Sequence, residues 1–185
     1  MKQLVFATLM CLASMNANAQ VLTSETVKNG YETVINMPES DFSYNVDYSG
    51  DDITTMYVYQ KTGDGKNIQL TPYRKHEYTY ATDGTLISKV TSQWDDMNNR
   101  WTIASRYDYS LNHDTYSIEY SHYDKKVNSF ELPVEKMIYI LQPCSDVHNI
   151  SHYRRQNSST PYQLISEIQF TEMPLLFADN NCKNF

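Results

Sequence analysis

Apolar and polar residues alternate with a period of two from about residue 53 to residue 170. Such alternation places successive side chains on opposite faces of a β-strand. The strands read from it are Ile53–Tyr59, Tyr78–Tyr80, Leu86–Trp94, Trp101–Tyr109, Tyr116–Tyr120, Ile150–Arg155 and Tyr162–Phe170. The pattern predicts an all-β fold, an antiparallel meander of about seven to ten strands with little or no helix. We expect this meander to curl into a half-open barrel or a two-layer sheet.

The alternation also assigns side chains to faces. Asp83-Gly84 predicts a tight hairpin turn, because this dipeptide tolerates positive φ angles. In the strand that follows, the pattern places Leu86, Val90 and Trp94 on one face and Lys89 and Gln93 on the other. In the next strand it places Trp101, Ile103, Tyr107 and Tyr109 together, opposite Arg106 and Asp108.

Outside this region the pattern is less regular. The N-terminal extension, residues 20–52, contains one predicted strand at Tyr31–Asn36. Val134–Leu141 fits a helical spacing after Pro133, but its Ile-Tyr-Ile core and its strand neighbours favour a strand. Residues 171–185 show no period. We therefore divide the chain into residues 1–19, the extension, a β domain over 53–170, and an irregular tail.

The first 19 residues have the features of a signal peptide. Lys2 precedes an apolar run, Leu4–Met15, that is too short to span a bilayer, for which about 20 residues are needed. Ala17-Asn18-Ala19 then matches the small-x-small cleavage pattern. We expect cleavage near Ala19 and export to the periplasm or beyond, with no membrane span. In an exported chain the two remaining cysteines, Cys144 and Cys182, form either one disulfide or two separate thiols.

Composition narrows the choice of partners. The formal net charge is −7 and there is no basic run, which argues against binding to nucleic acid or to anionic membranes. The chain has 16 tyrosines and only 5 glycines, which favours strands over disordered or collagen-like structure.

One segment carries a resemblance to a known family. Tyr78-x-Tyr80-x-x-Asp83-Gly84-x-Leu86 continues to Trp94, and a polar loop, Trp101 and a tyrosine-rich hairpin follow. This arrangement resembles a family of small secreted Bacteroides proteins of unknown function, and its hairpins are faintly similar to tyrosine-aspartate repeats. The resemblance implies a β-rich secreted protein and no particular activity.

Cys144, His148 and His152 have the spacing Cys-x3-His-x3-His, the nearest approach to a metal site in the sequence. Zinc binds thiolate and imidazole ligands tetrahedrally. This spacing aligns three ligands only on a helix, whereas Pro143 and Asn149 favour a loop that enters a strand. No fourth ligand is evident. We therefore expect no metal and no cofactor. Cys144, His148 and His152 are the one candidate set of metal ligands that the sequence offers.

Catalytic patterns are equally lacking. There is no Gly-x-Ser-x-Gly elbow and no recognised catalytic cysteine. The carboxylate pairs Asp51-Asp52 and Asp95-Asp96 lie in predicted loops, where a solvated turn explains them better than glycoside hydrolysis. The sequence therefore predicts that the protein is not an enzyme, and a secreted hydrolase ranks last among the hypotheses.

Aromatic residues are the most suggestive feature. The candidate binding residues are Trp94, Trp101, Tyr107, Tyr109, Tyr116 and Tyr120. Flat rings on a rigid sheet stack on sugars or extended peptides. The alternative interpretation is that these rings form the core, since a meander must bury one face. We predict a non-catalytic binding module for a polysaccharide or a surface protein. The alternative function is structural or assembly, with internal aromatics and edge strands that pair with a second copy.

Overall fold

One helix and ten strands make up the described part of the computed structural model, residues 21–38, 40–63, 67–113, 115–140 and 148–170. The side chains of His148 and Phe170 are not included. The elements are α1 (Ser24–Ile35), β1 (Phe42–Ser49), β2 (Asp52–Thr62), β3 (Gln69–Tyr80), β4 (Leu86–Asp95), β5 (Arg100–Asn112), β6 (Thr115–Asp124), β7 (Ser129–Phe130), β8 (Glu135–Ile140), β9 (His148–Arg154) and β10 (Gln163–Phe170). The predicted signal peptide, Cys144, Cys182 and residues 171–185 lie outside the described residues.

The strands form one antiparallel sheet in which neighbours along the chain are also neighbours in space. The exceptions are β7 and β8, which both pair with the same side of β6. β8 pairs with the first half of β6, and the short β7 pairs with its end. Among the described strands, β1 and β10 are the two edges, so the sheet is not closed into a barrel. The predicted all-β antiparallel meander is confirmed, with one short helix added.

The hairpin turns follow their local sequence. At the β3–β4 turn Gly84 has φ +82°, and the Thr85 N–H donates to the Asp83 carboxylate at 2.9 Å. Asn99 and Asn128 take positive φ angles in the β4–β5 and β6–β7 turns, which asparagine tolerates better than most residues. The predicted Asp83-Gly84 hairpin is therefore confirmed.

The N-terminal extension differs from its prediction. Tyr31–Ile35, predicted as part of a strand, forms the last turns of α1, and Asn36 is the C-cap. Thr23 and Thr26 form a capping box at the N-terminus of this helix, satisfying backbone N–H groups that would otherwise have no partner. The sheet also begins earlier than residue 53, because β1 pairs with β2 along its whole length.

The ambiguous segment Val134–Leu141 is resolved as far as it is described. Glu135–Ile140 forms β8, which pairs with β6 on one side and with β9 on the other. Pairing on both sides satisfies the backbone hydrogen bonds of this segment as effectively as a helix would. The strand interpretation is confirmed.

Two β-bulges change the faces that the alternation predicts. Ser92 pairs with Ile103 while Thr91 pairs with Ser105, so β5 has one extra residue at Ala104. A second register shift occurs where Thr79 pairs with Ser88 and Tyr80 with Leu86. Each extra residue moves the side chains beyond it on its strand to the face opposite the one that the alternation predicts.

The bulges therefore correct two predictions. Trp101 and Ile103 lie on the face opposite Tyr107 and Tyr109, instead of sharing it. Leu86 lies on the same face as Lys89, instead of the face of Val90 and Trp94. The assignment of Arg106 and Asp108 to the face opposite Tyr107 and Tyr109 agrees with the strand register.

We name the two faces of the sheet by their contents. The tyrosine face contains Tyr78, Lys89, Tyr107, Tyr109, Tyr116, Ile118 and Tyr120. The ion-pair face contains Lys75–Glu77, Arg106–Asp108 and Lys136–Glu119, with N···O distances of 2.8–3.0 Å.

The main core lies on the tyrosine face. Its buried members are Leu86, Tyr107, Tyr109, Tyr116 and Ile118. Residues 21–27, which lead into α1, cover this cluster: Val21, Leu22 and Val27 pack against it. The Leu22 backbone accepts a hydrogen bond from the Leu86 N–H at 2.9 Å. Its own N–H donates to the Tyr116 hydroxyl at 3.3 Å. The extension is thus an integral part of the fold.

Candidate functional site

The six predicted binding residues do not form one surface. The Ala104 bulge places Tyr107, Tyr109, Tyr116 and Tyr120 on the tyrosine face and both tryptophans on the ion-pair face. The core interpretation therefore applies to the tyrosines, whereas the two tryptophans lie outside that core and are half-buried.

The four tyrosines mainly build the core. Tyr107, Tyr109 and Tyr116 are at most 8% exposed, and the ring centroids of Tyr107 and Tyr120 lie 4.8 Å apart. Burial raises the pKa of each of these hydroxyls, because the phenolate is less well solvated than the phenol. Only Tyr120 is half-buried, so these rings offer little free surface to a ligand.

The two tryptophans form a separate aromatic cluster. Trp94 and Trp101 are cross-strand partners, and their ring centroids lie 5.0 Å apart at an interplanar angle of 68°. The Tyr57 ring lies 6.3 Å from that of Trp101. All three side chains are half-buried and none belongs to the core on the tyrosine face. We call Trp94, Trp101 and Tyr57 the tryptophan cluster.

Polar groups border this cluster. The Tyr57 hydroxyl donates to the Asp47 carboxylate at 3.0 Å. This hydrogen bond raises the pKa of Tyr57, with smaller contributions from burial and from the negative charge of Asp47. Lys75 lies between Tyr57 and Ser92 in the strand register. The aromatic surface is therefore flanked by groups that can donate and accept hydrogen bonds.

The loop carboxylates of the adjacent hairpin have a structural role. Both Asp95 oxygens accept hydrogen bonds from Asn98, one from its backbone N–H at 3.3 Å and one from its side-chain amide at 2.8 Å. The side-chain bond is the main reason that the pKa of Asp95 is lowered. This arrangement stabilises the β4–β5 turn, as expected for a solvated turn.

Only part of the metal candidate can be placed. His152 faces Met137 on β8, and its Nε2 lies 3.7 Å from the Glu135 carboxylate. Cys144 and the side chain of His148 lie outside the described residues, as does the Cys144–Cys182 pair. Within the described ranges, no three His, Cys, Asp or Glu side chains are grouped to hold a metal ion. The metal and disulfide candidates stay predictions.

Sequence reasoning did not single out a group of three basic residues on the tyrosine face. Arg74 and His76 on β3 and Lys89 on β4 lie on this face, beside Tyr78 and Thr91. The His76 Nδ1 and the Thr91 hydroxyl are 3.0 Å apart. The period-two spacing of Arg74, His76 and Tyr78 would have shown that these three share a face. The bulge next to Leu86 concealed that Lys89 joins them.

The comparisons place this fold among known proteins. The model of a family of unknown function, DUF3836, matches residues 1–141. The chain belongs to the DUF3836 family. None of the curated proteins compared with this DUF3836 chain is similar to it.

Three solved structures similar to this DUF3836 chain come from Bacteroides and Parabacteroides species. A protein of unknown function from Bacteroides fragilis NCTC 9343 is 24% identical, with a TM-score of 0.59 over 70% of this chain and 92% of its own. DUF3836 proteins from Bacteroides vulgatus ATCC 8482 and Parabacteroides distasonis ATCC 8503 are 20% and 24% identical, with TM-scores of 0.46 and 0.47. They cover 51% and 54% of this chain, and 92% and 90% of their own.

The family match and the Bacteroides fragilis structure support the fold, and neither indicates a catalytic function. No helix in the part of the DUF3836 chain that the structure describes is long and apolar enough to cross a membrane.

Proposed function

We propose that the protein is exported and acts as a non-catalytic module that binds a polysaccharide through the tryptophan cluster. The observation that carries this proposal is the position of the two indoles. They lie half-buried on the ion-pair face, outside the core, although burial there would have stabilised each by about 1.5–3 kcal/mol, as for other large apolar side chains.

The geometry of the cluster suits a sugar ring. An edge-to-face pair such as Trp94 and Trp101 presents one flat ring beside a ring edge, and pyranose rings stack on flat aromatic faces. Asp47 and Lys75 are close enough in the register to meet hydroxyl groups around a stacked sugar. Export, as indicated by residues 1–19, would bring such a module into contact with extracellular glycans.

A fluorescence titration tests the proposal directly. The chain has two tryptophans, so its intrinsic fluorescence reports on the cluster. We expect acrylamide to quench this emission, and a bound polysaccharide to protect it. Screening the full chain against neutral and acidic polysaccharides should identify at least one that does so. Single Trp94→Phe and Trp101→Phe variants separate the two indoles.

The decisive comparison uses matched truncations. Trp101→Ala should weaken binding about tenfold or more, a loss of about 1.4 kcal/mol. Phe130→Ala is the control, because Phe130 is another aromatic of the ion-pair face, packed edge-on against Tyr123. Equal losses in both variants, or emission that no polysaccharide protects, would exclude the tryptophan cluster as the binding site.

A second candidate function, self-assembly through β10, has its own supporting observation. Every residue from Gln163 to Gln169 is exposed, including Leu164, Ile165 and Ile168. Edge strands are commonly protected by proline, lysine or several charges, whereas β10 has a single charged residue, Glu167. Antiparallel pairing with a second copy, centred between Ser166 and Glu167, would place Ile165 opposite Ile168 and keep the two glutamates apart.

Sedimentation of the full chain tests this assembly. We expect a concentration-dependent dimer that Ile168→Lys abolishes. Val127→Lys is the control, because Val127 is even more exposed than Ile168 but lies in the β6–β7 turn. A monomer at every concentration, or a dimer that Ile168→Lys leaves intact, would contradict pairing through β10.

A further inference from the structure

Two cationic side chains on the tyrosine face, Arg74 and Lys89, differ from the other half-buried cations of the described chain. Each of the others has a carboxylate oxygen 2.8–3.0 Å away or donates to backbone carbonyls. These others are Lys75, Arg106, Lys136 and Arg155. Arg74 and Lys89 take part in no ion pair among the described residues. Their contacts are aromatic, with Arg74 4.9 Å from the Tyr73 ring centroid and Lys89 5.0 Å from that of Tyr107.

The strand register brings these two cations to one region. Arg74 pairs with Gln93, His76 with Thr91, and Tyr78 with Lys89, all on neighbouring strands. Burial lowers the pKa of both His76 and Lys89, and the positive charge of Arg74 lowers each of them further. In the register Arg74 and Lys89 therefore lie on either side of the His76–Thr91 pair, on the same face.

This arrangement leaves a buried donor without an acceptor. The Arg74 Nε is fully buried and has no hydrogen-bond partner among the described residues. An unsatisfied buried donor costs about 1–3 kcal/mol, and a bound water or ion is one way in which native proteins satisfy such a group. The Arg74 and Lys89 side chains as a whole are only half-buried, so a small ligand can reach them from solvent.

The surrounding groups complement a negative charge. His76 bonds to Thr91, and burial, with the charges of Lys89 and Arg74, lowers the pKa of His76 to about 3, so its imidazole is neutral near pH 7. Among the described residues no carboxylate pairs with Arg74 or Lys89, and Glu135, which lies on the same face, is paired with Arg154 at 2.9 Å. Two cations with no competing acid suit an oxyanion, which arginine binds through a planar pair of N–H groups.

We propose that Arg74 and Lys89 form a binding site for an oxyanion, a carboxylate or sulfate group, on the tyrosine face. Thr91 lies between the two cations in the register, so its hydroxyl borders the site. This site is separate from the tryptophan cluster, which lies on the opposite face, so it does not depend on the proposed polysaccharide binding.

Thermal stability of the full chain with defined anions tests the site. A ligand that binds only the folded state raises the midpoint of unfolding. We expect sodium sulfate and sodium galacturonate to raise it above the value in sodium chloride of equal ionic strength. Galactose serves as the uncharged control for galacturonate. Because sulfate also stabilises folded proteins by exclusion from their surface, only the part of each rise that is lost in Lys89→Met is assigned to the site. A larger lost part with sulfate assigns the site to sulfate groups, and a larger lost part with galacturonate assigns it to carboxylates.

Variants then locate the binding. Lys89→Met and Arg74→Gln should each weaken anion binding about tenfold or more, measured by calorimetric titration. Lys136→Met is the matched control, since it removes one charge from the ion-pair face. Lys89→Met should also fold normally, because it replaces a half-buried charge with an apolar chain of similar length. Equal responses to sulfate and chloride, or equal losses in Lys136→Met, would overturn the proposal.

Discussion

At the scale of single residues, His76 shows how a fold can make one side chain sensitive to acid. Its imidazole lies on the tyrosine face, bonded to Thr91 and flanked by Arg74 and Lys89. Burial disfavours the charged imidazolium, and the two neighbouring cations disfavour it further. Together they lower the pKa of His76 to about 3, from 6.5 in a solvated histidine.

This difference predicts the response of stability to acid. Between about pH 6.5 and about pH 3 the unfolded chain binds a proton at residue 76 and the folded chain does not. The free energy of unfolding therefore falls as the pH falls, by about 1.4 kcal/mol per unit from this group. His76→Gln, which keeps a polar partner for Thr91, should show a shallower slope in urea unfolding between about pH 6.5, the ordinary pKa of histidine, and about pH 4.

The control and a spectroscopic check make the cause specific. His113→Asn removes an imidazole from the exposed β5–β6 turn and keeps a residue that tolerates its φ of +49°, so it is the variant with which the slope of His76→Gln is compared. In the NMR spectrum one histidine ring should not titrate in this range, and its signal should be missing in His76→Gln. If every histidine ring titrates in this range, His76 is not a buried neutral imidazole and the prediction is wrong.

At the scale of elements, the sequence predicts what short-range chemistry decides. Asp83-Gly84 predicted its hairpin because the turn needs a positive φ and a side-chain acceptor, and both are provided within three residues. The helix was missed for the opposite reason. Tyr31–Ile35 is rich in strand-forming residues, but the capping box at Thr23 and the packing of Val27 on the sheet stabilise a helix.

The bulges are where sequence reasoning about the candidate site fails. No residue type marks Ala104 as an extra residue, because its position depends on how β4 and β5 align over their whole length. One such residue reverses every side chain after it. The predicted single row of aromatics therefore becomes four core tyrosines on one face and two indoles on the other. The same effect at Leu86 concealed Lys89 among the tyrosines.

At the scale of the whole molecule, the core is unusual in consisting largely of phenols. Tyr107, Tyr109 and Tyr116 take positions that aliphatic residues usually occupy, and Tyr78 and Tyr80 pack against them. Burial raises the pKa of all five above 10. The stability of the fold therefore depends on the tyrosine hydroxyls of its core keeping their protons.

This linkage predicts unfolding by alkali. A phenol whose pKa is higher in the folded state contributes stability that is complete below pH 10 and is lost as the pH rises further. Lys89 acts in the opposite direction, but only between about pH 8 and pH 10.5. Above that range the tyrosines dominate. The phenolate absorbance of the buried tyrosines, which is the last part of the total rise, should therefore appear together with loss of the sheet signal in circular dichroism.

Two phenylalanine variants separate the core from the surface. Tyr109→Phe removes one buried phenol, so the free energy of unfolding should fall less steeply above pH 10, by about 1.4 kcal/mol per unit. Tyr48→Phe removes a hydroxyl from a side chain that is 52% exposed and should leave the slope unchanged. A sheet signal that persists while all 16 tyrosines ionise would contradict this account. It would show that the phenols of the core reach solvent without unfolding, and the tyrosine face would then be an open surface.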